Sequence, residues 1–219
     1  MRVRAAVLEE FGSPLSIQEV DLAEPKAREV LVRLAACGVC HTDLYTASGA
    51  DPNEADGTGR TAVTAAVYAG SAVVVRLLVD AGADVDRQDE TRANAFLALG
   101  ETGDVDVLDE VLRADPDVRR TNRFGGSALI PAADRGHVEM VRALLERTKV
   151  DVDHVNDLGW TALLEAVILG DGGPAHQQIV RLLLDHGADR SIADRDGGTP
   201  LEHARGSGYA EIAIMLERP

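Results

Sequence analysis

The chain has 219 residues, 45% of them hydrophobic but only 3% aromatic, which is enough apolar material for a sizeable core built mainly from small aliphatic side chains. Its formal net charge of −15 repels phosphate backbones and anionic lipid heads, which argues against nucleic-acid and membrane-surface binding. No apolar run approaches the ~20 residues of a membrane-spanning helix, and the N-terminus turns acidic at Glu9 before a signal-peptide core develops, so the expectation is a cytoplasmic protein.

The first fifty residues carry β patterning. Residues 3–8, 15–20 and 29–34 are short strand-like runs, separated by the turn signals Gly12-Ser-Pro and Glu24-Pro-Lys-Ala-Arg-Glu. After them comes Ala36-Cys-Gly-Val-Cys-His-Thr-Asp-Leu-Tyr. Its two cysteines sit too close together for a useful structural staple, which suits a reducing compartment.

On these residues the stretch 1–52 resembles the N-terminus of zinc-dependent medium-chain alcohol dehydrogenases, whose catalytic, GroES-like domain begins with such strands. The resemblance makes Cys40 a remnant zinc-ligand position, with His41 and Thr42 at places tied to cofactor contact and proton relay. A catalytic zinc needs three protein ligands and an open position. The family's Gly-His-Glu segment, later zinc ligand, four-cysteine lobe and dinucleotide-binding domain have no counterpart further along, so neither zinc nor dehydrogenase activity is expected. Cys37-Gly-Val-Cys-His also fits the c-type haem pattern, but without an export signal. Gly57-Thr-Gly-Arg-Thr-Ala fits a loose dinucleotide fingerprint, but no buried strand precedes it.

From Thr61 onward the signal is spacing. Thr61, Asn94, Ser127, Thr161 and Thr199 recur at intervals of 33, 33, 34 and 38 residues, and nine residues after each stands Gly70, Gly103, Gly136, Gly170 or Gly208. The first set reads as five helix N-caps. The glycines fall where a short helix must end in the left-handed conformation. A second apolar run follows each one, as in Val73-Val-Val-Arg-Leu-Leu-Val, so every unit reads as turn, short helix, reversal, longer helix.

Gly197-Gly-Thr-Pro-Leu-Glu-His-Ala, Ala81-Gly-Ala-Asp-Val-Asp and His186-Gly-Ala-Asp within this period resemble ankyrin repeats. The resemblance implies an all-α ankyrin-repeat solenoid of five helical-hairpin units over residues 49–219, preceded by a short, β-rich, incomplete GroES-like segment over 1–48. The histidine that follows Thr-Pro-Leu in that family is replaced here by Thr64, Leu97, Ile130, Leu164 and Glu202. Gly49-Ala-Asp lies 33 residues before Gly82-Ala-Asp, in phase with the repeat ends. Three strands without their barrel partners cannot bury both faces, so residues 1–48 read first as a loosely ordered or partly folded tail. The alternative from the phase is a helix after Cys40, over residues 42–47, capping the first repeat.

Helices are expected over about 61–69 and 72–81, 94–102 and 105–114, and 127–135 and 138–147. Pro131 is tolerable in a first turn, whose N–H groups lack intrahelical partners anyway. Gly170-Asp-Gly-Gly-Pro-Ala-His inserts five residues between the helices of unit four and reads as a surface loop.

The resemblance implies a non-enzymatic protein–protein interaction module or scaffold that works through turn tips and a concave first-helix face. Phase then selects Phe124, Leu158 and Trp160 on neighbouring tips, and Tyr68, Glu101, Asp134, Arg135, Glu165 and Ile168 at equivalent concave positions. The charge serves solubility first, and a basic partner is the alternative it suits. The six dispersed histidines form no helical metal pair. The alternative is a zinc-binding or oxidoreductase-related role for Cys37, Cys40 and His41, completed by another chain.

Overall fold

The computed structural model describes residues 2–7, 16–21 and 51–217. β1 (Arg2–Val7) and β2 (Ser16–Asp21) pair antiparallel, with Arg2 opposite Asp21 and Val7 opposite Ser16. These are the first two strand-like runs of the sequence. The third run, the Cys37–Cys40–His41–Thr42 group and the helix expected over 42–47 lie outside the described residues, as does the rest of the GroES-like segment.

From residue 51 the chain forms helix pairs stacked in sequence order. They are α1 (Ala62–Tyr68) with α2 (Ala72–Asp80), α3 (Ala95–Thr102) with α4 (Val105–Leu112), α5 (Leu129–Asp134) with α6 (Val138–Arg147), α7 (Ala162–Ile168) with α8 (Pro174–Asp185), and α9 (Pro200–Gly206) with α10 (Ala210–Glu217). First helices pack on first helices and second on second. One apolar core therefore runs the length of the stack, from Val63 to Leu216. Small residues let the first helices sit close: Ala95, Ala98, Ala128, Ala132, Ala162 and Ala166 are all essentially fully buried.

Four of the five expected caps form. Side chains of Thr61, Asn94, Thr161 and Thr199 accept from the backbone N–H three residues on, at 3.5, 2.8, 3.2 and 3.3 Å. Glu202, in the place of the family histidine, closes a capping box by accepting from the Thr199 N–H at 2.8 Å.

Ser127 does not cap, and the cause is Pro131. In the other units the cap carbonyl accepts from the N–H four residues on, as in Ala98 to Asn94 at 3.0 Å. Pro131 has no N–H to offer the Ser127 carbonyl. That carbonyl takes the Ile130 N–H instead, at 3.3 Å, which is the donor the serine hydroxyl would have used. The Ser127 hydroxyl is left buried without a partner, and α5 starts one residue later than the other first helices do after their caps.

The reversal glycines behave as expected in four units, with φ of +67°, +71°, +76° and +75° at Gly70, Gly103, Gly136 and Gly208. In unit four the left-handed residue is Gly172 and not Gly170, because the insertion carries the reversal with it. Nor is the insertion simply a loop. Pro174 opens α8, which at 12 residues outlasts the other second helices. His176 within it is buried against unit three, its Nε2 2.9 Å from the Asp134 carbonyl oxygen.

Candidate functional site

Each unit begins with a β-turn tip built around one side chain. Asp56, Asp89, Asn122, Asn156 and Asp194 each accept, through Oδ1, from the N–H groups two and four residues on, at 2.8–3.0 Å. The same residues donate their own N–H across the tip, to Arg60, Ala93, Gly126, Trp160 and Gly198 respectively, at 2.9–3.0 Å. Neighbouring tips are also joined: Glu90 donates to the Thr58 carbonyl at 3.1 Å, Arg123 to Thr91 at 3.1 Å, and Asp157 to Phe124 at 2.9 Å. From the fourth tip to the fifth the Arg195 guanidinium bonds the Asp157 carbonyl. Backbone bonds thus join the first four tips and the Arg195 side chain joins the fifth, so side chains on the tips are held at fixed spacing.

On this ladder Phe124 is 54% exposed and Leu158 50% exposed, on adjacent tips. The Arg123 guanidinium lies 4.7 Å from the Phe124 ring centre. Trp160 is half-buried, with its backbone closing its own tip. Val155, 46% exposed, extends the apolar patch and escaped the sequence reading. Its signal is positional, since the equivalent residue is Gln88 or Thr121 in the preceding units.

The first-helix residues divide. Tyr68 is half-buried, with the Arg60 guanidinium 5.0 Å from its ring centre. Burial, and then the nearby Glu101 carboxylate, push its hydroxyl pKa up. Arg135 is exposed and lies 3.9 Å from Glu101, while Asp134 and Ile168 are half-buried. Glu165 does not project as expected: it is buried and accepts from Asn156 Nδ2 at 2.7 Å. Burial first, then the Asp134 carboxylate, raise its pKa to about 7, against the opposing pull of the Asn156 hydrogen bond. Glu165 thus supports the fourth tip from beneath and offers nothing to a partner.

The described histidines all find hydrogen-bond partners within the fold. His137 Nε2 lies 3.2 Å from the Glu101 carbonyl oxygen and His154 Nε2 2.6 Å from that of Gly125, both in the preceding unit. His203 Nε2 lies 2.7 Å from Asp194, and His186 Nδ1 2.8 Å from the Leu182 carbonyl oxygen. Among the described residues no group of three or more His, Cys, Asp or Glu side chains is placed to hold a metal ion, and no helix is long and apolar enough to cross a membrane.

Comparison with known proteins agrees with this architecture. A family model of ankyrin repeats in three copies matches residues 95–194, and a single-repeat model matches residues 58–90. An ankyrin repeat domain from Acinetobacter baumannii AYE, solved at 1.00 Å resolution, is 49% identical with a TM-score of 0.72, over 75% of this chain and 84% of that one. A second solved ankyrin repeat protein is 40% identical with a TM-score of 0.74, over 77% and 85%. The ankyrin repeat protein YahD of Escherichia coli K12 is 51% identical over 77 residues, 35% of this chain and 38% of that protein's length. A class-3 alcohol dehydrogenase of Cereibacter sphaeroides is 62% identical over 52 residues, 24% of this chain and 14% of the enzyme. The chain therefore spans well under half the length of these two curated relatives.

Proposed function

The chain belongs to the ankyrin-repeat family, and from that premise we propose that it is a non-enzymatic protein-binding module whose contact surface centres on the third and fourth turn tips. The observation that carries this reading is the exposure of Phe124 and Leu158 on tips that the Asp157 N–H joins to the Phe124 carbonyl at 2.9 Å. Large apolar side chains half in water on a rigid backbone lose little entropy when a partner covers them. Val155 and the half-buried Trp160 widen the patch. Tyr68, Glu101, Asp134, Arg135 and Ile168 line the neighbouring first-helix face, where carboxylates favour a partner with basic groups beside its apolar anchor.

The test is affinity capture by the full chain with mass-spectrometric identification, followed by titration of the captured protein against variants. Phe124→Ala and Leu158→Ala are each expected to weaken binding about tenfold. Both side chains are half exposed, so thermal stability should stay within about 0.5 kcal/mol of the parent. Unchanged affinity in the double variant would remove the tips from the interface.

The dehydrogenase-like match favours a second reading, in which Cys37, Cys40 and His41 hold zinc. Among the described residues no group of three or more His, Cys, Asp or Glu side chains is placed to hold the ion, and in this reading another chain completes the site. One zinc per chain, lost in Cys40→Ser, is the result this reading requires.

A further inference from the structure

One position in the repeat ends is filled by glycine in two units and by charge in two others. In each repeat end an aspartate accepts from the N–H two residues on: Asp84 from Asp86 at 2.9 Å, Asp117 from Arg119 at 3.2 Å, Asp151 from Asp153 at 3.1 Å and Asp189 from Ser191 at 2.8 Å. Two residues before those aspartates stand Gly82, Asp115, Lys149 and Gly187. A Cβ added at Gly82 or Gly187 would meet no atom within 4 Å, so the position opens away from the packed stack. Its backbone is left-handed in the glycine units, with φ of +89° and +88°. Asp115 keeps that conformation at φ +50°, which strains its side chain and which glycine would relieve. Unit three has one residue more than unit two in its repeat, and Lys149 stays out of the left-handed region. Adjacent units thus carry opposite charges where their outer neighbours carry glycine.

Both charged side chains line one cavity of about 580 Å³ between the repeat ends of units two and three. Leu112, Pro116 and Val118 give it an apolar wall, with Pro116 buried. The other charged groups at its edge are engaged. Asp86 accepts from the Asp117 N–H at 3.0 Å, the Asp117 carboxylate accepts from Arg119 Nε at 3.0 Å, and Arg147 pairs with Asp109. The Asp115 carboxylate and the Lys149 ammonium have no hydrogen-bond or ion-pair partner among the described residues, and they do not pair with each other. The cavity therefore offers one free acceptor of negative charge, one free donor of positive charge and an apolar wall.

We propose that this cavity binds a zwitterion, an amino acid or a short peptide, with its ammonium on Asp115, its carboxylate on Lys149 and an apolar side chain against Leu112 and Val118. Hydrogen bonds between ionised groups are the strong ones, and a pair of them at fixed separation selects for a ligand that carries both charges. The volume lies in the range of pockets that take ligands larger than one amino acid, which points to the peptide. It also explains why unit two keeps a strained aspartate where glycine would sit more easily. Phe124, Val155, Leu158 and Trp160 do not line the cavity, so the site stands apart from the turn tips.

Calorimetric titration of the full chain with glycyl-leucyl-glycine, and separately with leucine, tests this. At least one probe is expected to saturate a single site per chain, and the tighter of the two identifies the size of the ligand. Acetylating the amine of the tighter probe, or amidating its carboxylate, should each weaken binding about tenfold. Asp115→Asn, whose new side chain tolerates the left-handed backbone, should abolish the penalty for acetylation and keep the penalty for amidation. Lys149→Gln should do the reverse. That crossed pattern separates a lost contact from a lost fold, and the blocked probes test the parent chain without any variant. The proposal is overturned if neither probe saturates the parent below about 10 mM, or if the blocked forms bind it as well as the free ones. It is equally overturned if folded variants keep both penalties.

Discussion

Glu165 and Asp115 are single residues that hold the fold under tension. Glu165 keeps a carboxyl group beneath the fourth turn tip with its pKa raised to about 7, above the ordinary 4.5. Between those values the folded chain binds the proton more tightly than the unfolded chain, so stability falls as pH rises through this window and is greatest below it. The slope is about 1.4 kcal/mol per pH unit at most, since one pKa unit carries that free energy. Glu165→Gln keeps an acceptor for Asn156 Nδ2 and removes the titration. Urea midpoints between about pH 4.5 and 7 should therefore flatten, with the variant more stable than the parent at pH 8; an unchanged slope would assign the effect elsewhere. Asp115 has φ of +50°, where the matching residues of units one and four are Gly82 and Gly187. A side chain in that region costs about 1–2 kcal/mol, part of which the greater unfolded-state freedom of glycine takes back. Asp115→Gly should raise stability by about 0.5–1 kcal/mol, read as a shift in the denaturation midpoint. The sequence displays this site, since Asp115-Pro116-Asp117 stands where residues 82–84 and 187–189 read Gly-Ala-Asp. What it does not display is that the backbone keeps its left-handed turn and strains the residue instead.

At the level of helices and turns, much of the architecture was legible because it rests on period and on local chemistry. The caps at Thr61, Asn94, Thr161 and Thr199 follow from side-chain oxygens three residues before a free N–H, and the spacing alone locates them. Ser127 failed through a competition that spacing does not reveal: its own carbonyl, deprived of a donor by Pro131, took the amide its hydroxyl needed. The exposure of Phe124 and Leu158 could be read from phase, whereas the burial of Glu165 depended on the distant Asn156 and could not. The insertion in unit four misled for a related reason. Glycine and proline mark a loop locally, but Tyr209 of the next unit packs over Gly172 and donates to the Gly170 carbonyl at 2.9 Å. Gly172→Ala should therefore behave unlike a change in a free loop. Its φ is +68°, and an added Cβ would meet the Tyr209 ring at 2.3 Å. Strain and overpacking together should cost about 2 kcal/mol or more. The same change at Gly206, where nothing lies within 4 Å of the added atom, should cost far less. Equal midpoints for the two variants would return the insertion to the status of a surface loop.

Across the whole molecule the stack behaves as a row of neighbours, each unit stabilised by those it touches, and it carries most of the chain's net charge of −15. Arginines bridge successive units: Arg113 reaches Asp80 at 2.6 Å, Arg135 lies 3.9 Å from Glu101, and Arg147 pairs with Asp109. These side chains are largely solvent-exposed, and pairs of that kind are worth about 0–1 kcal/mol each. The surplus of carboxylates works against the compact state over longer distances. Salt weakens both terms, and their ranges decide which prevails. The screening length falls from about 30 Å at 0.01 M to about 8 Å at 0.15 M, which removes repulsion between units but leaves contacts under 4 Å partly intact. The unfolding midpoint should therefore rise over that interval of sodium chloride. A falling midpoint would mean that the inter-unit arginines outweigh the excess of negative charge, and that the stack is held at its seams by ion pairs as well as by its aliphatic core. The same measurement on Arg113→Gln separates the two terms: with one bridge gone, the rise with salt should steepen, because less attraction remains for the salt to weaken.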